Sequence, residues 1–290
     1  MYKNGLRGIN LQYDYLSNFD FFHPKSKLLT LKKESLKDFV EFIRLKVCLF
    51  VTGIGVSGYL LFNPPGLQAI WVALSCFFVG AAGYSFNMIT DKEEDLINLK
   101  KINPLANSNT GLALVACFIT AGAVFAFLLS PAAIVFYWVM VALDIAYSKF
   151  RMKKIFPMKN IFTGFGLTQV FFIGAANAPI TLTTMTYYVV VSLFIFITSL
   201  VSDLRDYEGD KATNIRTIPV VLGYANGKMF AYFVLLLTSA VILDMNLTKL
   251  YLLLGFSVPI IAYLHRNEPK TAHHYLLTSF IFLPLGTLLI

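Results

Sequence analysis

Residues 68–95 read QAIWVALSCFFVGAAGYSFNMITDKEED and join a long apolar run to a strongly acidic end. About 20 consecutive apolar residues cross the hydrocarbon core of a bilayer as a helix, so this run predicts a membrane-spanning helix. At its polar end, Asn87, Asp91 and Asp95 follow one another at i, i+4 and i+8, which places them on one helical face. The stretch therefore predicts a membrane helix that ends in a row of oxygen ligands.

The remainder of the chain has the same apolar character. Of its 290 residues, 57% are hydrophobic and only 14% are charged, and the mean hydropathy is +0.67. A soluble domain carries about 25% charged residues, so a soluble, fibrous or disordered protein is excluded. We predict an all-α membrane protein whose nine transmembrane helices lie near residues 40–62, 68–90, 110–129, 131–148, 160–178, 181–201, 227–243, 248–264 and 274–290.

The basic residues are distributed unequally between the two sides of this predicted bundle. Of the 24 lysines and arginines, all but Lys249 fall at residues up to Lys46 or in the loops on that same side. By the positive-inside rule, the N-terminus and these loops are cytoplasmic. The net charge of +8 therefore indicates topology, and no nucleic-acid partner is expected. Residues 1–37 form a polar cytoplasmic segment before a transmembrane domain at 38–290, and nothing in them resembles a removable signal peptide.

A second acidic stretch ends the predicted sixth span. It reads Asp203-Leu-Arg-Asp206-Tyr-Glu-Gly-Asp210, a spacing that again places three carboxylates on one helical face. Anions are unfavourable at a helix C-terminus, so these rows of acids call for a cation. Oxygen ligands favour Mg²⁺ or Ca²⁺, and Mg²⁺ is commonly completed by substrate phosphates. The two acidic stretches together predict a Mg²⁺ site for a diphosphate.

The two acidic stretches also have matching surroundings. Asp91 and Asp95 precede Pro104 by 13 and 9 residues, and Asp206 and Asp210 precede Pro219 by the same intervals. This match indicates two related halves with a site between them, as internal repeats in membrane proteins often provide. A plainer alternative is a solvated collar of loop acids, balanced by Lys92, Lys100, Arg205 and Lys211.

Basic and polar residues follow the predicted fourth span, and side chains of this kind clamp phosphate oxygens. They include Tyr147, Ser148, Lys149, Arg151, Lys153, Lys154, Lys159 and Asn160. Within the span, Asp144 is an ionisable residue, which is a functional candidate by default, although a carboxylate paired with a neighbouring helix is an equal possibility. Cys48, Cys76 and Cys117 lack metal-ligand spacing and are interpreted as packing residues.

These motifs together resemble the UbiA superfamily of intramembrane prenyltransferases. The similarity also includes Ile215-Arg216-Thr217 and Leu222-Gly223, and with the predicted spans it covers the chain from about residue 38. The resemblance implies a ring of nine transmembrane helices around a central cavity, capped by cytoplasmic helical loops. It also implies transfer of a prenyl group from an isoprenyl diphosphate to an aromatic or lipid acceptor, with Mg²⁺ as cofactor.

The resemblance assigns roles to particular residues. The Mg²⁺ ligands, which are also the catalytic residues, would be Asn87, Asp91, Asp95, Asp203, Asp206 and Asp210. The substrate-binding residues would be Lys46, Tyr147, Ser148, Arg151, Lys153, Asn160, Lys211 and Arg216. The chain departs from the family pattern at Met88, where many members have Asp, and at Asn103, where many have Arg before Pro-Leu.

Two other functions remain open from the sequence. A membrane terpene cyclase would share the metal site but would capture the allyl cation within the same prenyl chain. A cation-coupled transporter could use carboxylates from two repeat halves, with Asp144 in a proton path. Transporter sites generally lie near the bilayer midplane, whereas these acids fall at the ends of the helices, so the transporter is the weakest of the three.

Overall fold

A computed structural model describes residues 33–92, 96 and 101–289, and within these ranges all regular structure is helical. Asp95 lies outside the described residues, as do residues 1–32 of the predicted N-terminal segment. The α-helices are α1 Lys33–Phe42, α2 Leu45–Leu60, α3 Leu67–Thr90, α4 Asn109–Leu129, α5 Pro131–Ser148, α6 Met158–Ile161, α7 Gln169–Gly174, α8 Leu182–Arg205, α9 Tyr207–Ala212, α10 Ile218–Leu222, α11 Tyr224–Asp244, α12 Tyr251–His265 and α13 Pro269–Leu289.

Seven helices in the described ranges are long and apolar enough to cross a membrane. They are α3, α4, α5, α8, α11, α12 with the short turn before it, and α13. The predicted first span corresponds to α2, which has 16 residues and starts after Arg44, a residue in the left-handed conformation with φ 50°. The predicted fifth span is interrupted, because a π-helical turn at Phe162–Gly166 separates α6 from α7. Its sequence, FTGFG, is rich in residues with low α-helix propensity.

The helix boundaries repeat along the chain. Helices α3 and α8 each have 24 residues and begin 115 residues apart, at 67 and 182. Helices α4 and α11 each have 21 residues and begin at 109 and 224, which is the same interval. Pro104 and Pro219 are separated by this interval as well. The structure thus supports the two related halves that the spacing of the acidic stretches predicts.

The long helices pack in chain order into a closed series. Helix α2 contacts α3 on one side and α13 on the other, so the last helix returns to the first long one. Helix α7 also packs on α2, where a side-chain carbon at Gly174 would collide with the Gly55 carbonyl oxygen. Glycines let helix backbones approach this closely. The series encloses a cavity of about 300 Å³.

Candidate active site

The cavity combines a polar mouth with apolar walls. The mouth lies where α3, α5 and α8 end and includes Asn87, Ser148 and Asp203. Apolar side chains line the remainder, among them Val47, Phe50, Met140, Leu143, Phe162, Leu167, Ile195 and Leu277. Such a cavity can hold a molecule with a charged head and a hydrocarbon tail.

The first acidic stretch approaches the mouth from α3. Asn87 lies in the last turn of α3, and its Oδ1 accepts a hydrogen bond from Ser148 Oγ at 3.2 Å. Asp91 is the residue that directly follows α3, and its backbone N–H donates to the Asn87 carbonyl oxygen. The helix end therefore fixes these two side chains one turn apart, and Ser148 orients the Asn87 amide.

The second acidic stretch contacts a lysine and an asparagine side chain. Asp203 is fully buried in the last turn of α8. Its Oδ1 lies 2.7 Å from Lys159 Nζ, and its Oδ2 accepts a hydrogen bond from Asn160 Nδ2 at 2.8 Å. Both carboxylate oxygens of Asp203 therefore have protein partners from α6.

Lys159 also reaches the last acid of the stretch, with Nζ 3.4 Å from Asp210 Oδ2. Burial lowers the pKa of Lys159, but the carboxylates of Asp203 and Asp210 raise it by more, so the lysine stays charged. Burial raises the pKa of Asp210 above its ordinary value, and Lys159 opposes this shift. The positive charge of Lys159 therefore offsets the negative charges of two largely buried carboxylates.

Asp206, the middle aspartate of the second stretch, directly follows α8 and forms an ion pair with Arg205. Arg205 Nε donates to Asp206 Oδ1 at 2.9 Å, and Arg205 Nη2 donates to Oδ2 at 2.6 Å. This fork also contacts Ser202 Oγ at 3.1 Å. Arg205 and Ser202 both line the cavity, so the ion pair lies at its edge.

The other predicted substrate-binding residues divide into two groups. Tyr147 and Ser148 line the cavity, and Asn160 is buried beside it, where it holds Asp203 and Ser199. The structure places the rest away from the lining. Lys46 contacts His274, Arg151 is exposed after α5, Lys211 lies near the Tyr207 ring and Arg216 near the Phe156 ring. The Lys153 side chain lies outside the described part.

Several cavity residues have no assigned role in the sequence analysis. Arg44 lines the cavity and stacks over the Tyr84 ring at 6.0 Å, and His273 lines it from α13. From the sequence, Arg205 is interpreted only as a positive charge that offsets the loop acids, although it lies inside the second acidic stretch. Lys159 is among the basic residues that the sequence predicts to clamp phosphate oxygens, but its pairing with Asp203 is not predicted.

The chemistry of the donors suits a hard divalent cation such as Mg²⁺. The described acids and Asn87 offer only oxygen atoms, and the Lys159 ammonium already stands as a cation between Asp203 and Asp210. Over the described ranges, no three His, Cys, Asp or Glu side chains converge into a ready metal cage. Mg²⁺ typically takes only one or two carboxylates and completes its shell with water and substrate phosphates, so an open donor set of this kind fits it.

The chain is similar to known proteins in sequence and in fold. Residues 47–282 match the model of the UbiA prenyltransferase family. A digeranylgeranylglyceryl phosphate synthase from Methanocaldococcus jannaschii is 30% identical over 218 residues, which cover 73% of this chain and 75% of that protein. A UbiA homolog from Aeropyrum pernix K1 has a TM-score of 0.69 at 19% identity, over 85% of this chain and 98% of that one. A UbiA homolog from Archaeoglobus fulgidus bound to GPP and Mg²⁺ has a TM-score of 0.65 at 17% identity, over 87% and 100%.

Proposed function

Because this chain belongs to the UbiA prenyltransferase family, we propose that it transfers a prenyl group from an isoprenyl diphosphate to a lipid acceptor in a Mg²⁺-dependent reaction. It is an integral membrane prenyltransferase with at least seven apolar helices among its described residues. The observation that carries the proposal is the cavity whose charged mouth continues into apolar walls. A prenyl diphosphate has the same division between a charged head and a hydrocarbon tail.

The diphosphate binds at the mouth between the two acidic stretches. The proposed ligand set is the predicted one, with Asn87 and Asp91 on one side, Asp203, Asp206 and Asp210 on the other, and Asp95 outside the described residues. These residues would hold Mg²⁺, which would neutralise the diphosphate and stabilise the charge that develops as it leaves. Arg44 and Arg205 line the same mouth and supply positive charge to the phosphate oxygens.

The prenyl chain lies in the apolar part of the cavity. When the bond between C1 and the diphosphate oxygen breaks, the allyl cation is kept from water by the surrounding side chains. Tyr84, Tyr147 and Phe162 line this part of the cavity, and the faces of such rings attract cations. The walls therefore protect the cation until the acceptor reaches it.

We assign the acceptor to the hydroxyl of a prenylated glyceryl phosphate. The relative from M. jannaschii supports this choice over an aromatic ring. Asp144 lines the cavity one turn before Ser148, with its carboxylate directly against the α3 backbone at Gly83. In the reaction, the acceptor oxygen bonds to C1, the diphosphate leaves with the electron pair of the broken bond, and Asp144 takes the hydroxyl proton.

The membrane arrangement is part of the same proposal. We retain nine crossings, in which α2 and the interrupted segment from α6 to α7 complete the seven long helices. The excess of lysine and arginine on one side supports a cytoplasmic N-terminus and a cytoplasmic mouth. Residues 1–37 then form a cytoplasmic segment, and residues 38–290 form the transmembrane domain. The short helices α9 and α10 would belong to a cap over the mouth.

The test uses the full chain purified in detergent. Labelled geranyl, farnesyl and geranylgeranyl diphosphates are offered with Mg²⁺ or with EDTA, and diphosphate release and product mass are measured. Each donor is tested alone, with a geranylgeranylated glyceryl phosphate, and with 4-hydroxybenzoate as an aromatic acceptor. We expect Mg²⁺-dependent release that requires the glyceryl phosphate and gives a product heavier by one prenyl group.

The other results of this test are equally informative. Release that requires 4-hydroxybenzoate would keep the prenyltransferase and reject the lipid acceptor. Release without any acceptor, together with a hydrocarbon or alcohol product, would establish the terpene cyclase instead. Release that is unaffected by EDTA would contradict the Mg²⁺ site.

A further inference from the structure

The Lys159 ammonium group lies between two carboxylates of the second acidic stretch at the mouth. Its Nζ lies between two carboxylates, 2.7 Å from Asp203 Oδ1 and 3.4 Å from Asp210 Oδ2. Since Mg²⁺ binds oxygen at 2.0–2.1 Å, an ion bridging these carboxylates would need the space that the ammonium group holds. Only one of the two cations can be there.

We propose that the Lys159 ammonium replaces a second divalent ion in this protein, so that one Mg²⁺ and one lysine together bind the prenyl diphosphate. This inference rests on the proposed function, because it concerns the same diphosphate site. It narrows the predicted ligand set by making Asp203 the residue that positions Lys159, and it leaves Asn87, Asp91 and Asp206 to face the ion.

The bonding of Asp203 supports this assignment. Both of its oxygens are engaged by protein groups, Oδ1 by Lys159 and Oδ2 by Asn160, and the residue is fully buried. A buried carboxylate in close contact with an ammonium group is suited to holding that lysine in place.

The segment that carries Lys159 is itself fixed. Thr163 Oγ1 lies 2.8 Å from the Lys159 carbonyl oxygen and 2.6 Å from Ser199 Oγ on α8. Asn160 Nδ2 also lies 2.9 Å from Ser199 Oγ. These bonds tie the segment to α8 one turn before Asp203, so the lysine does not depend on a flexible loop for its position.

The internal repeat shows that this pairing is confined to one half. The 115-residue interval relates Arg44 to Lys159 and Met88 to Asp203. In the first half the basic residue thus lacks the corresponding acid, and Arg44 lies over the Tyr84 ring at the cavity. In the second half the basic residue and the acid are both present and bonded. The two halves of the mouth are therefore electrostatically different.

The charges of the second stretch agree with a single ion. Lys159 and Arg205 are both paired with its carboxylates, so two positive charges already lie against its three aspartates. A second divalent ion there would face two fixed positive charges at close range. Repulsion from these charges would oppose its binding.

The test counts the metal ions that are bound to the full chain in detergent. Mn²⁺ serves as the probe, in the presence of the unreactive donor analogue geranylgeranyl S-thiolodiphosphate. Bound Mn²⁺ is measured by mass spectrometry after gel filtration, and the EPR line shape shows whether the ions are isolated or coupled. We expect one Mn²⁺ per chain with an isolated six-line spectrum for the wild type, and two coupled ions for Lys159→Met.

Two controls accompany this variant. Lys228→Met removes a lysine that donates to Asn267 at 2.7 Å and does not line the cavity, and it should still bind one ion. Lys159→Arg keeps the positive charge and should also bind one ion. If Lys159→Met does not fold, the wild-type spectrum and Lys159→Arg still decide the question.

Coupled Mn²⁺ ions in the wild type would overturn the inference while leaving the Mg²⁺-dependent transferase intact. The same would follow from a single ion in folded Lys159→Met. No bound Mn²⁺ in either protein would instead reject the metal site of the proposed function, and the inference with it. Failure of the inference alone is thus distinguishable from failure of the function.

Discussion

Asp91 and Asp206 occupy the same structural position in the two halves of the protein. Each directly follows the last residue of a 24-residue helix, with φ and ψ of −91° and 2° at Asp91 and −96° and 8° at Asp206. Their backbone N–H groups donate to the carbonyl oxygens of Asn87 and Ser202. A carboxylate at a helix C-terminus faces the negative end of the helix dipole, so both positions favour a nearby cation.

We therefore expect Asp91→Asn and Asp206→Asn each to lower prenyl transfer. Loss of one group that stabilises the charged transition state costs roughly 10²-fold in turnover, and asparagine preserves the size of the side chain. The measurement is Mg²⁺-dependent diphosphate release at saturating donor and acceptor. Asp244→Asn, an exposed acid at the end of α11, should retain wild-type turnover.

Wild-type turnover in both variants would remove Asp91 and Asp206 from the site. A loss in only one of them would mean that the ion uses one half alone. A change in KM without a change in kcat would indicate that the acids bind the ground state and the transition state equally.

Asn160 allows a test of how much the hydrogen bonds around Asp203 stabilise the protein. Asn160→Leu removes the hydrogen bonds to Asp203 and Ser199 and leaves a buried carboxylate oxygen without its partner. Hydrogen bonds to charged groups contribute about 1.5–3 kcal/mol, so we expect a lower Tm in detergent. The two tryptophans allow this to be followed by intrinsic fluorescence.

The matched control for this variant is Asn226→Leu. Asn226 is exposed, and its side chain donates to the Leu222 carbonyl oxygen four residues earlier. Its replacement should change the Tm little, because exposed positions of this kind usually contribute less than about 0.5 kcal/mol. Equal Tm values for the two variants would show that the Asp203 network does not stabilise the fold.

Much of this architecture follows from local patterns in the sequence. The apolar run 68–90 predicts α3 to within a residue, and the i, i+4 spacing of Asn87 and Asp91 predicts their position at its end. The family and the all-helical membrane fold are likewise confirmed. These features depend on the periodicity and length of apolar segments, which can be recognised within one helix without knowledge of its neighbours.

The features that the sequence did not predict depend on contacts between distant segments. Lys159 and Asp203 form an ion pair although they are 44 residues apart in the sequence. No local pattern predicts which basic residue contacts which acid. Arg44 lines the cavity, whereas Lys46, which the resemblance implies as a diphosphate-binding residue, contacts His274. The interruption of the fifth predicted span also depends on packing, because Gly164 fits against Phe196 of α8.

Asn103 shows how a departure from a family pattern can serve the fold. Its buried side chain donates to the Asp38 carbonyl oxygen at 2.8 Å and accepts from the Leu105 N–H at 2.9 Å. We expect Asn103→Ala to remove both hydrogen bonds and to destabilise the protein by about 1–3 kcal/mol. Asn103→Arg should also lower the Tm, because only 5% of this residue is exposed.

Asn107→Ala is the control in the same connection, since Asn107 is exposed and accepts from Lys92 at 3.3 Å. Its Tm should match that of the wild type in the fluorescence measurement. A wild-type Tm for Asn103→Arg would show that the segment between α3 and α4 accommodates a large charged side chain. It would contradict a stabilising role for the hydrogen bonds of Asn103.

The contact between Gly55 and Gly174 predicts a strong difference between two glycines. A side-chain carbon at Gly174 would collide with the Gly55 carbonyl oxygen and lie 2.7 Å from the Tyr59 backbone nitrogen. Because backbone atoms cannot move aside as a flexible side chain can, Gly174→Ala should force α7 away from α2 and sharply reduce the yield of folded protein.

Gly255 is the control, because it lies in α12 with open space around it. Gly255→Ala should keep the yield or raise the Tm slightly, since alanine favours a helix over glycine by about 1 kcal/mol. Both are compared by gel filtration in detergent and by Tm, and a normal elution profile and Tm for Gly174→Ala would show that these helices are not in close backbone contact.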